Sequence, residues 1–314
     1  MSPKLLVVFG ASGQQGGSVI SYVLNDPELS KEYNIRAVTR NTQNQKIIEF
    51  EKRGAEIVQA DLTDEASLNA ACSGAFMVFG MTISIYEEDG RKREIDQGKA
   101  LVDAAVNAGA EYFLWSSGLN VTNVTGANIT NAYGFESKAI VEEYIKSLNI
   151  KGIYYIPGCF MQNFRYFILK PEEETDKQYV ISSVFNNDTY LPLIDVEKDS
   201  GKFIGPILRQ PQKYVNFEIC AAQGLYTLDD IARRLSVSTG YDIVYRQVNG
   251  EDLVKKFPQP MQKYGSAMVE LVTFFRDYGY YGPDMEQKVA WAVKQVREPL
   301  TTIEEFIADN PYDF

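Results

Sequence analysis

The chain has 314 residues, of which 45% are hydrophobic and 23% charged, which is enough apolar material for one large α/β domain or a large domain with a smaller one. Its net charge of -11 and sequence pI of about 4.8 repel a phosphate backbone, so direct binding of DNA or RNA is not expected. Histidine is absent, which excludes a Ser-His-Asp triad and any histidine-held metal site.

The N-terminal run 4–10, "KLLVVFG", is continuously apolar, as a strand buried on both faces must be. It is too short for a secretory leader. Residues 16–26 then carry Val19, Ile20 and Val23 at helical spacing. The same alternation continues with strands at 34–40, 55–61, 76–81, 111–118 and 151–158, and helices at 46–54, 64–72, 94–109 and 136–149. Gly54 supplies the stop for the helix at 46–54. Strand and helix alternating at this pitch predict right-handed βαβ units and a Rossmann-type, doubly wound parallel sheet over residues 1–158.

Beyond residue 158 the pattern loosens into aromatic-rich, mixed segments. Strand-like runs fall at 178–185, 214–222 and 242–248, with helices at 227–240, about 263–278 and 285–297. Residues 159–314 read as a smaller α+β lobe, interleaved with the first or separate from it, closing over the carboxyl edge of the sheet, where ligands sit in such folds. Tyr154, Tyr155, Phe160, Phe164, Tyr166 and Phe167 crowd the junction, either as core or as a substrate cage.

No apolar stretch approaches a membrane span. Three widely spaced cysteines, Cys72, Cys159 and Cys220, read as reduced thiols of a cytoplasmic protein, with the nucleus as the alternative location. The Asn-x-Thr triplets at Asn120, Asn123, Asn128 and Asn187 read as polar loop rather than as glycosylation sites.

"GASGQQGG" (10–17) lies at the first strand-to-helix turn and contains Gly10, Gly13 and Gly16 at Gly-x-x-Gly-x-x-Gly spacing. Such a turn lets backbone N–H groups approach a diphosphate at a helix N-terminus, so Gly10, Ala11, Ser12, Gly13, Gln14, Gln15 and Gly16 are the expected phosphate loop. The second strand ends in Arg40, where NAD-preferring folds place an acid; no Asp or Glu occurs between Glu32 and Glu49. A guanidinium there forks onto a 2′-phosphate and stacks on adenine, which predicts NADP(H), with Thr39, Asn41 and Lys46 as further donors. Asp61 ends the third strand with Leu62 beside it, placed to meet adenine or to cap the next helix. Phe79, Gly80, Met81 and Thr82 would line the adenosine side.

Together "VVFGASGQQGGSV", "VTRN", "GAEIVQADLTD", "KAIVEEYI" and "IPGCFMQNF" resemble the NmrA-like family of atypical short-chain dehydrogenases, over nearly the whole chain. The resemblance implies nucleotide binding through Gly10–Gly16, Arg40, Asp61, Leu62, Phe79–Thr82, Lys138 and the stretch containing Phe160, Met161 and Asn163. The chain departs from relatives at Asn44 and Asp96, where basic residues are found, and at Ile156, where an arginine often precedes the proline.

Many short-chain dehydrogenases carry a tyrosine four residues before a lysine on one helix, and that pair handles the proton of hydride transfer. Here Tyr133 precedes Lys138 by five, and the position four before is Gly134. At about 100° per residue a spacing of five rotates the two side chains apart. Tyr133 serves only if it precedes the helix. Lys138 is expected to bond nicotinamide ribose hydroxyls and, in a closed site, to act as the catalytic acid. Its alternative is a solvated pair with Glu142. Ser116 and Ser117 end the fifth strand near the same place. Cys159 beside them invites a redox switch, against which stands the lack of nearby cations other than Lys138.

Two functions remain open. One is a redox-sensing regulator that binds a protein partner as the nucleotide orders Arg40 and residues 82–95. The other is an NADPH-dependent reductase of a small carbonyl, enone or imine. The absent tyrosine favours the first.

Overall fold

The computed structural model describes residues 2–169 and 178–311, with the side chains of Phe167, Ile168, Leu169 and Pro260 outside the described set. The first layer is built from β1 (Lys4–Val8), β2 (Tyr33–Thr39), β3 (Glu56–Gln59), β4 (Met77–Gly80), β5 (Tyr112–Ser116) and β6 (Lys151–Pro157). Between them run α1 (Gln14–Asn25), α2 (Leu29–Glu32), α3 (Gln45–Lys52), α4 (Glu65–Cys72), α5 (Gly90–Asn107), α6 (Val121–Val124) and α7 (Tyr133–Lys146). The second half contributes β7 (Cys159–Phe160), α8 (Phe164–Phe167), β8 (Ile168–Leu169), β9 (Gln178–Ser183), β10 (Tyr190–Ile194), α9 (Val196–Arg209), β11 (Glu218–Ala221) and β12 (Gly224–Thr227). It closes with α10 (Leu228–Thr239), β13 (Asp242–Gln247), α11 (Gly250–Lys256), α12 (Gln259–Gln262), α13 (Gly265–Tyr278), α14 (Met285–Gln295) and α15 (Ile303–Asp309).

The large sheet has the order β11-β6-β5-β4-β1-β2-β3, and every pairing in it is parallel. Its central strands are apolar on both faces because both faces are covered: Leu6, Val7, Val8, Phe113, Leu114 and Trp115 are fully buried. One face packs α1 and α9, around Val19, Ile20, Val23, Phe203, Ile204 and Ile207. The other packs α4, α5 and α7, around Leu68, Leu101, Val102, Val141 and Ile145. The order reverses between β1 and β4, so the loop after β1 opens at the topological switch point.

Six parallel strands match the sequence expectation; the seventh does not. The run 214–222, read with the smaller lobe, yields β11, which adds to β6 at the edge of the large sheet. Helix α9 likewise returns to that layer. The chain beyond residue 158 therefore builds both layers. The rest of it forms two three-stranded sheets, β12-β10-β7 and β13-β9-β8, wrapped by α10 to α13 over a third core.

Local signals hold these elements in place. Asp64 and Asp195 cap α4 and α9 through their carboxylates, Thr227 and Asn249 cap α10 and α11, and Thr302 with Glu305 makes a capping box on α15. Helix α5 begins at Gly90, four residues before the expected start, and Glu94 is 1% exposed inside it. The expected mobile segment 82–95 is thus partly the first turns of a helix.

Candidate functional site

The loop after β1 turns at Gly10 with φ +65°, and a Cβ at Gly16 would lie 2.5 Å from the Gly10 carbonyl oxygen. Only glycine permits so close a start of α1 against its own loop. Gly13 is the N-cap of α1 with no capping side chain, and the first-turn N–H groups lack intrahelical partners. Gly13, Gln14 and Gln15 line a cleft at this point. A cradle that a Cβ would fill, opening on unpaired backbone donors, fits a diphosphate. Ala11 is fully buried, its N–H spent on the Val38 carbonyl, and Ser12 Oγ lies 3.4 Å from Thr39 Oγ1.

Arg40 and Asn41 are exposed at the end of β2. Lys46 reaches back from α3 to within 3.3 Å of the Gly13 carbonyl, so a second cation borders the loop. Asp61 does not cap α4. Its carboxylate accepts from Thr63 Oγ1 and Thr63 N, and those bonds, then the nearby Arg40, hold it below the usual carboxylate range against partial desolvation. Asp64 takes the capping role. Leu62 is half-buried beside Asp61. Phe79 is fully buried, and a Cβ at Gly80 would strike Phe113, so these two residues can present only backbone to a ligand. Met81 and Thr82 line the cleft.

At the carboxyl ends of β4, β5 and β6 the cleft deepens to a volume of about 690 Å³. Ser116, Ser117, Pro157 and Gly158 form its floor, with Phe160 and Asn163 at its side; Met161 is fully buried and gives it no side chain. Ser116 Oγ bonds Gln15, and Ser117 Oγ bonds the buried Glu142, whose carboxyl burial pushes upward despite Lys146 and Ser117. The far wall comes from the second lobe and is apolar: Phe164, Phe185, Leu228, Leu253, Phe257, Leu271 and Phe275. Tyr154 and Tyr155 are fully buried core residues rather than cage residues, and Tyr166 is 80% exposed. Cys159 lines the wall, but burial pushes its thiol up to about 12, which removes the thiolate a redox switch needs.

Lys138 is the one charged side chain among the described residues that line the cleft. It is not paired with Glu142. Its ammonium donates to Glu94 Oε1 at 2.5 Å and to Ser84 Oγ at 3.1 Å, and Thr82 Oγ1 donates to the same Glu94 oxygen at 2.9 Å. Two of three ammonium N–H groups are thereby used, and one is left for a ligand. Glu142 pairs with Lys146 instead.

Tyr133 is the first residue of α7, not a residue of the preceding loop. Its ring packs under the Arg91 guanidinium, with the carbon 5.6 Å from the ring centre, and it does not line the cleft. Sequence reasoning missed Tyr86, which does line it, from the loop between β4 and α5. Tyr86 falls within residues 82–95, which the sequence marked only as a stretch that the nucleotide would order.

Fold and loop together define a Rossmann-type protein whose ligand edge is roofed by an apolar second lobe. The chain belongs to the NmrA-like family, whose model matches residues 2–307. It is 29% identical over 227 residues to the NmrA-like family domain-containing oxidoreductase malD of Malbranchea aurantiaca, covering 67% of this chain and 66%, just under two thirds, of that protein. Its fold is shared by NmrA, a negative transcriptional regulator, in complex with NADP, at TM-score 0.74 and 19% identity, covering 100% of this chain and 99% of that one. The Citrobacter sp. triphenylmethane reductase complexed with NADP(H) matches at TM-score 0.71 and 18% identity, covering 98% and 99%. Among the described residues no helix is long and apolar enough to cross a membrane, and no group of three or more His, Cys, Asp or Glu side chains could hold a metal.

Proposed function

We propose that this protein is an NADP(H)-dependent reductase of a bulky, apolar carbonyl, enone or imine compound. The observation that carries the reading is the cleft of about 690 Å³, which runs from the phosphate loop past Lys138 into a chamber walled by aromatic and aliphatic side chains. A volume of this size, apolar with a few convergent polar groups, is what a small-molecule site requires. Among the described residues its one lining cation, Lys138, is already paired with Glu94, so a charged substrate would meet little uncompensated charge there.

The cofactor assignment is supported by the glycine cradle, by Arg40 in the place of an acid, and by the complexes with NADP or NADP(H) of the two solved structures that share the fold. The backbone of Gly10–Gly16 would hold the diphosphate. Arg40 would take the 2′-phosphate, with Lys46 adding charge. Asp61 and Leu62 would border the adenine, and Lys138 would bond a ribose hydroxyl with its free N–H. NADPH, when bound, supplies a hydride. The apolar chamber wall favours an apolar substrate.

The regulatory reading keeps one observation in its favour: α7 carries Gly134, without a side chain, four residues before Lys138. One assay separates the two. NADPH oxidation is followed by its absorbance against aromatic aldehydes, quinones, enones and iminium dyes. Substrate-dependent turnover that falls about 100-fold or more in Lys138→Met supports the reductase; the absence of turnover across the panel, with NADPH binding intact, supports the regulator.

A further inference from the structure

Helix α7 has no tyrosine one turn before Lys138, yet a phenol is present beside that position. A Cβ built on Gly134 would meet the Tyr86 hydroxyl at 3.3 Å and Ser84 Oγ at 3.5 Å. Ser84 Oγ is the group that accepts from Lys138 Nζ. Residues 134 and 138 lie nearly over one another on the helix. Tyr86, Ser84, Gly134 and Lys138 therefore form one patch of the cleft wall, and all four line the cleft. Leu271 of the second lobe lies 3.7 Å from the same Gly134 point, which puts the hydroxyl where sheet, helix and apolar chamber meet.

We propose that Tyr86 is the catalytic proton donor of this cleft, its hydroxyl filling the space that Gly134 leaves open beside Lys138. The assignment rests on the reductase reading. Among the described residues no protein group hydrogen-bonds the Tyr86 hydroxyl. A half-buried phenol without a protein partner, aimed into a ligand cleft, is available to a substrate oxygen or nitrogen. Burial, and then the Glu94 carboxylate, raise this phenol above its ordinary value, so it carries its proton at neutral pH.

The loop that presents it is tightly specified. Gly90 sits under the Ile85 carbonyl, where a Cβ would come within 2.1 Å of the oxygen, and Glu94 one turn on is held by Lys138 and Thr82. In the reduction of a ketone, the electrophilic carbon gains a hydride from NADPH and the C=O π pair moves onto oxygen. The Tyr86 O–H bond breaks and its proton passes to that oxygen. The phenolate regains a proton from solvent, so one NADPH and one solvent proton are consumed for each alcohol formed. Lys138, committed to Glu94 and Ser84, positions the ribose with its remaining N–H.

The test compares wild type with Tyr86→Phe, which removes only an oxygen that has no protein partner. Binding of benzophenone and of diphenylmethane, which lacks the carbonyl, is measured by titration calorimetry with NADP+ present. The expected result is tighter binding of the ketone by about three- to tenfold in wild type and loss of that preference in Tyr86→Phe. With 9,10-phenanthrenequinone and NADPH, kcat is expected to fall by about 100-fold or more at similar KM, unchanged NADPH affinity and with loss of the solvent deuterium isotope effect. Wild type that binds or reduces these probes beside an unimpaired Tyr86→Phe overturns the assignment alone. Wild type that binds neither probe and reduces no quinone overturns the reductase reading and the assignment with it.

Discussion

Arg40 stands exposed at the end of β2, close enough to help hold the Asp61 carboxylate ionised. Its place at the end of the strand is set by the strand alone, and in this fold that is where a residue toward the adenine ribose is expected. Arg40→Ala is expected to weaken NADPH by roughly 10- to 100-fold while changing NADH by less than about threefold, since only NADPH offers the phosphate for charge-assisted bonds. Equal losses for the two nucleotides in calorimetry would remove Arg40 from the site. The two tyrosines fared differently. Tyr133 is near Lys138 in sequence yet faces Arg91, whereas Tyr86 is 52 positions away in numbering and reaches the lysine's patch through a loop, since Lys138 minus Tyr86 gives that separation.

Among the elements, α1 and α9 cross at unusually short range, and glycine makes that possible. A Cβ at Gly201 would lie 2.4 Å from Tyr22 Cβ and 2.7 Å from the Ser18 carbonyl oxygen, and one at Gly205 would lie 2.4 Å from Tyr22 Cε1. Ser18 Oγ accepts from the Gly201 N–H at 3.0 Å across the same contact. This crossing docks the second half of the chain onto the helix that begins at the glycine-rich turn after β1. Gly201→Ala tests which effect wins there. Alanine gains about 1 kcal/mol of helix propensity, but the methyl must push apart two backbones, and overpacking of that kind costs about 1–3 kcal/mol or more. Because the obstacle is main chain and a Cβ rather than a flexible tip, the cost lies at the upper end of that range and the expected outcome is a net loss of about 1–2 kcal/mol, read as a lower urea midpoint at unchanged slope. A midpoint that holds or rises would show the crossing to be looser than described. The six strands of the first half declare themselves by apolar runs between helical segments. The seventh, β11, reads as a strand but not as a member of this sheet, since β7 to β10 of the other lobe lie between it and its partner β6 along the chain.

Across the whole molecule, the second lobe is tied to the carboxyl edge of the sheet by two buried phenols. The Tyr281 hydroxyl shares its one hydrogen between the carbonyls of Ile156 and Ala221, 3.1 Å from each, and Tyr280 donates to that of Pro157 at 3.1 Å. Backbone acceptors at the ends of β6 and β11 thereby hold the roof over the cleft, and Tyr280 also lines it. A nucleotide seated between the lobes touches only the folded state, so NADPH at about a hundredfold its dissociation constant should add about 2.7 kcal/mol to the free energy of unfolding. Denaturant titrations with and without NADPH measure this, and identical curves would remove the nucleotide from the account. Whether the protein then works as an enzyme turns on the chamber, which belongs to neither lobe alone.

Residue order along the chain was sufficient for the parallel sheet and the glycine turn after β1, because each depends on spacing within a strand-turn-helix unit, and for Arg40 at the end of β2; membership of the NmrA-like family was read from the resemblance of motifs along the chain. The apolar chamber, the Lys138–Glu94 pair, the close crossing at Gly201 and the hydroxyl beside Gly134 depend on how distant segments land on one another. No local pattern records where a loop comes to rest, since that is settled by the packing of two lobes against it.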